Sequence, residues 1–125
     1  AHVALTMDAG QSTYLLSQWV RDQGLLDVGR AVHKLTREGA ELYGIADRGV
    51  LAPGACADLN VIDLDRLGLD APEMVADFPL GAQRYVQRAH GYDLTLVNGR
   101  ALVEADELTD ERPGRVVRPQ AGGPR

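Results

Sequence analysis

Cys56 is the only cysteine in the chain. No internal disulfide can form, and the usual thiolate zinc clusters are excluded. Histidine is scarce too. His2, His33 and His90 are widely separated and match neither His-x-His nor i,i+4 ligand spacing. No apolar run approaches the length of a membrane span. No basic patch followed by an apolar block opens the chain, so no secretory signal is legible. Excess positive charge is also lacking. Thirteen Lys and Arg face 18 Asp and Glu, for a formal net charge of −5. A general nucleic-acid binder needs a basic face to neutralise phosphates, so that class is excluded. Neither nucleic acid nor membrane is expected as a partner. A single free thiol fits a reducing compartment.

What is present describes an ordinary folded chain. Its 125 residues are 45% hydrophobic and 25% charged, which predicts one compact domain with a modest core. Tyr14, Leu15, Trp19 and Val20 recur at helical spacing, with Ser12 as a candidate N-cap and Gly24 as a stop. Val28, Ala31, Val32 and Leu35 form a second helical stripe behind Asp27, a good N-cap. Thr36 to Tyr43 reads as a short third helix that Gly44 ends.

The period then changes. Gly49 and Gly54 mark tight turns, and Ala57 to Asp63 reads as a buried strand opened by Asp58. Asp65 to Gln87 carries Pro72 and Pro79 and is expected to be mostly loop with a short helical turn. Arg84 and Arg88, at i,i+4, read there as one face of that turn. Asp93 to Val97, Asn98-Gly99 and Arg100 to Glu104 predict a hairpin on a type I′ turn. Asp106, Glu107, Asp110 and Glu111 read as a solvated acidic loop, and Arg115 to Arg118 as a short strand. The tail 119–125, rich in Gly and Pro, is expected to fray. The predicted class is α+β: N-terminal helices followed by a small antiparallel β-sheet.

Several of these segments resemble the C-terminal part of amidohydrolase-superfamily enzymes. Asp47 to Asp63 is similar to the superfamily's G-x-(I/L)-x-x-G-x-x-A-D-(L/I) stretch. Val97-Asn98-Gly99 resembles its late V-N-G hairpin. Thr109 to Arg118 resembles the T-G-x-x-P-G-(R/K)-x-(L/V)-R ending of N-acyl-D-amino-acid deacylases, or D-aminoacylases, with Asp110 where Gly is usual. Ala31 to Thr36 is similar to the A-V-x-x-(L/M)-T helix before it. That helix often carries Pro where Gly39 stands.

The resemblance implies a division of the chain. Residues 1–46 would be helices from the end of a TIM-like barrel. Residues 47–118 would be part of the β-sandwich flanking it, with an insertion at about 65–90. It also implies that the parent hydrolyses non-peptide amide bonds with zinc or another divalent metal, in the cytoplasm. The family's His-x-His metal pair is absent from this sequence. Ala1-His2 resembles the end of an S-D-x-G-A-H segment, so the chain is expected to start just after the catalytic Asp. No catalytic residue and no metal ligand is therefore assigned, and no cofactor is expected in this segment. His2 is the one substrate-proximal candidate.

His33 and His90 read as structural, Cys56 as a small packed residue, and Trp19 as core or interface. The expected partner is the remainder of the parent hydrolase, and a homo-oligomer is expected when the segment is detached. The alternative is a stand-alone binding or interaction module with an amidohydrolase-like ending.

Overall fold

The structure is a computed structural model and describes residues 8–118. It is α+β, with helices first and an antiparallel sheet after them. One turn of α-helix, α1 (Gln11–Tyr14), runs directly into a π-helical segment, Leu15–Asp22. The helix opens before Ser12. Gly10 precedes it and no side chain caps it, which corrects the expected Ser12 cap. The i→i+5 bonding of a π turn rotates the chain less per residue, so a stripe spaced at 3.6 drifts off the buried side. Thr13, Leu16 and Ser17 face inward, whereas Tyr14 and Trp19 remain 47% and 44% exposed. Gly24 stops the helix as expected. Its φ is 61°, and the Leu25 N–H reaches back to the Trp19 carbonyl at 2.8 Å.

Helix α2 (Val28–Leu35) starts at Asp27, whose Oδ1 accepts the Arg30 N–H at 3.0 Å. Of its predicted apolar stripe only Ala31 is buried. Val28, Val32 and Leu35 are exposed. Helix α3 (Arg37–Leu42) ends as Gly44 predicts. The Ile45 N–H bonds the Ala40 carbonyl at 2.8 Å and the Gly44 N–H bonds that of Glu41 at 3.1 Å.

The sheet is four-stranded, in the order β1-β6-β7-β8. Its members are β1 (Leu59–Ile62), β6 (Tyr92–Val97), β7 (Arg100–Glu104) and β8 (Glu107–Leu108). The predicted hairpin is β6–β7, and Asn98 and Gly99 take φ of 49° and 77° as a type I′ turn requires. Two expectations fail here. The strand β1 is an edge strand with Asn60 and Val61 exposed, not a buried one. No strand forms at Arg115 to Arg118. The fourth strand is β8 instead, reached through Ala105 and Asp106, both at positive φ. A turn without Gly or Asn-Gly gave no signal for it.

The 68–90 region is also more ordered than expected. Beyond a 3₁₀ turn at Pro79–Gly81, it holds β2 (Gly68–Leu69), β3 (Glu73–Val75), β4 (Arg84–Val86) and β5 (Ala89–His90). The ladder β2–β5 lies at the base, and β3–β4 lies nearer the tip, so the region is one antiparallel arm. Arg84 therefore lies on β4 and Arg88 in the short link between β4 and β5, not on a helical face. Each ladder has only two or three residue pairs, too few for an alternating pattern to be legible.

Leu16, Ala31 and Leu67 form the core, with Leu15, Val20, Ile62, Leu64 and Tyr92 packed around it. It lies where the π segment meets the turn after β1 and the start of β6. Gly91 makes that junction possible. A Cβ on it would stand 2.7 Å from the Leu67 Cα. Among the described residues no helix is long and apolar enough to cross a membrane.

Candidate functional site

Three of the four segments that carried the resemblance converge on one polar cluster. Gly49 and Gly54, at φ of 84° and 89°, fold the 47–58 loop back so that the Cys56 N–H bonds the Asp47 carbonyl at 2.9 Å. Arg48 is thereby turned inward and its side chain is only 15% exposed. Its Nε donates to Asp58 at 2.6 Å, Nη1 to both Asp47 oxygens at 2.9 and 3.0 Å, and Nη2 to Asn98 at 3.2 Å. Asp58 in turn accepts the Asn98 N–H at 2.7 Å, and the Asn98 amide donates to the Pro113 carbonyl at 2.7 Å. One guanidinium thus joins the Gly-rich loop, the start of β1, the hairpin turn and the Pro113-Gly114 segment.

The electrostatics follow from those bonds. Asp58 anchors the turn, as read from the sequence. Partial burial opposes its charge, yet the Asn98 N–H and Arg48 outweigh that and hold its carboxyl below the usual range. The Cys56 thiol donates to Asp47 at 3.1 Å. That bond and burial push the thiol up, and the same bond, with Arg48, holds Asp47 down. A thiol kept protonated is a poor nucleophile, so Cys56 serves packing and bonding. Arg48 itself escaped the sequence reading. Its only signal was an arginine beside Asp47 with Asp58 ten residues on.

A second cluster ties the helices to the sheet. Arg21 donates through Nη1 to the carbonyls of Leu64 at 3.0 Å, Asp65 at 3.2 Å and Leu67. Thr13 and the Tyr92 hydroxyl are 2.7 Å apart. Asp106 accepts the Tyr92 N–H at 2.6 Å. Amide bonds from Tyr92 and Gly91 hold its carboxyl low, so it is a built-in turn anchor and not the solvated loop residue expected.

Beside this cluster lies an open groove of about 570 Å³, with Leu15, Trp19, Leu35 and Leu69 as apolar walls. Asp8, Gln11 and Gln87 are its polar members. It holds no paired nucleophile and base.

The two described histidines do not come together. His33 lies exposed on α2, 3.8 Å from Glu38. His90 ends β5, 3.4 Å from Asp70. The His90 ring covers Gly68, where a Cβ would meet its Nε2 at 2.6 Å. His2, the substrate-proximal candidate, lies outside the described residues. Among the described residues no three His, Cys, Asp or Glu side chains stand within reach of one metal ion. These residues do not compose a site for the divalent metal that the resemblance implies.

Comparison with known proteins extends the picture. The sequence model of the amidohydrolase family matches residues 1–103. An N-acyl-D-aspartate deacylase of Alcaligenes xylosoxydans xylosoxydans is 34% identical over 88% of this chain and 20% of its own length. An N-acyl-D-glutamate deacylase from the same organism is 37% identical over 90% of this chain and 21% of its length. A D-aminoacylase, again from that organism, is 34% identical over 82% of this chain and 19% of its length. The chain therefore spans about a fifth of the length of the curated relatives it matches. No solved structure matches it significantly.

Proposed function

This chain belongs to the amidohydrolase family, and we propose that it is the C-terminal, non-catalytic segment of a metal-dependent hydrolase of N-acyl-D-amino acids. The observation that carries this reading is the pairing of two numbers. Identity of 34–37% runs through most of this chain, yet the match takes up about a fifth of each deacylase.

The described geometry supports a bracing role. Arg48 and Arg21 bind loops, turns and helices into a scaffold. On this reading the α2 stripe of Val28, Val32 and Leu35 is the face that lies against the catalytic barrel, and the rest of the hydrolase polypeptide is the segment's partner. A divalent metal in such an enzyme activates water and polarises the amide carbonyl. Its ligands and the general base lie in that remaining polypeptide.

The test is the intact mass of the native gene product, followed by assay of that product. The expected result is a mass several times 13.5 kDa and release of free amino acid from N-acetyl-D-aspartate or N-acetyl-D-glutamate. Those two probes are taken from the names of the relatives. A native mass near 13.5 kDa would sink the reading and leave a stand-alone binding or interaction module.

A further inference from the structure

The 68–90 arm ends in a tip that is unfavourable as it stands. Leu80 sits at φ 62° and ψ 20°, in the left-handed region. There its Cβ crowds the following carbonyl, and Gly or Asn would fit better. The same side chain is fully exposed, and Phe78 next to it is 42% exposed. Strained backbone and bare apolar surface thus coincide at one place.

The tip is nevertheless tightly built. The Gly81 N–H bonds the Phe78 carbonyl at 3.1 Å. Asp77 holds Arg84 through two bonds, at 2.8 and 2.6 Å, and the Arg84 guanidinium lies 5.6 Å above the Phe78 ring. The tip's ion pair is therefore closed within the arm, and Leu80 and Phe78 are bare beside it. The ladder β3–β4 packs principally on itself and stands away from the core. A bare two-stranded ladder is marginal in water.

We infer that the arm is a docking finger, and that Leu80 and Phe78 seat in an apolar pocket on the remaining polypeptide of the same hydrolase. This rests on the reading that the chain is one segment of a longer enzyme. Length argues for that occupant, because about four-fifths of each matched relative lies outside the region this chain covers. The family match at residues 1–103 runs through the whole arm, so the arm belongs to the matched architecture. Its internally paired charges disfavour an anionic partner surface.

The test uses the full-length gene product with Leu80→Gly and Leu80→Asn. Both residues suit a left-handed backbone, so the sign of the effect decides. A free tip gains stability or stays level when its strain is relieved. A docked tip loses its anchor. The expected result is a lower Tm for both variants and tryptic cleavage after Arg84, where the chain returns from the tip, about tenfold or more faster than in the parent sequence. An unchanged or higher Tm, with the parent tip cut as fast as the variants, would overturn the inference. Protection that grows with protein concentration would overturn it in favour of a second copy. Neither readout uses deacylation, so a wrong substrate leaves this test intact. A short native product is detected by mass before any variant is made.

Discussion

Replacing Leu67 by Ala should be the most damaging single truncation in the chain. Leu67 is 1% exposed and is the largest fully buried side chain among the described residues. It packs with Leu16 and Ala31, the other two members of the core. Removing three carbons forfeits roughly 2.4 kcal/mol of transfer free energy, at about 0.8 kcal/mol for each. A cavity contribution of similar size adds to this where the walls cannot collapse. They are held here. Arg21 grips the Leu67 carbonyl, and Gly91 already touches its backbone. The expected loss is about 3–5 kcal/mol, at the upper part of the usual range for Leu→Ala. Urea unfolding followed by far-UV circular dichroism measures it, with Leu51→Ala as the control. Leu51 is 84% exposed and should change stability by less than about 0.5 kcal/mol. A loss below about 1 kcal/mol for Leu67→Ala would show that this junction is not the core.

Three further outcomes follow from the same geometry. Asp47→Asn removes the carboxylate that raises the Cys56 thiol, so the thiol pKa falls and modification by a thiol reagent at pH 8 accelerates. An unchanged rate would mean that the Cys56–Asp47 bond does not exist in solution. Asp22, Asp47, Asp58, Asp77 and Asp106 all have folded pKa values below the ordinary one. Stability from such groups is complete above the unfolded carboxylate pKa, about 3.9, and is lost as pH falls through the lower folded values. The Tm should therefore hold near neutrality and drop below about pH 4, and Asp106→Asn should flatten part of that drop. A Tm that rises on acidification contradicts the bonding assigned to these carboxylates. Finally, the detached chain should self-associate through its open β1 and β8 edges and bare α2 stripe. Strictly monomeric elution at high micromolar concentration would refute that.

Local signals made about half of this architecture legible. Asp27, Gly24, Gly44 and Asn98-Gly99 each act within a few residues, and each sits where its chemistry requires. The failures have a common cause in longer-range structure. The α2 stripe has the expected helical spacing but little to pack against among the described residues, where three of its four members are exposed. The arm's short ladders are joined by contacts between its two sides, such as the Asp77–Arg84 ion pair at the tip, which no single strand reveals. Arg48 carries little local signal because its partners Asp58 and Asn98 stand ten and 50 residues away in sequence.

Family resemblance in this chain follows backbone and bonding roles and not reacting groups. Several recognisable positions in the 47–63 stretch and the hairpin have a backbone or bonding task. Gly49 lies so close to α3 that a Cβ would stand 3.0 Å from the Arg37 Cα. Asp58 fixes the hairpin turn through the Asn98 N–H, and the Gly99 N–H bonds the Ala57 carbonyl at 2.9 Å. Asn98 also holds Pro113, so the two later motifs depend on each other. A pattern made of such tasks identifies a scaffold, and a scaffold can carry many reactions. The substrate is therefore written in whichever residues line the reacting centre.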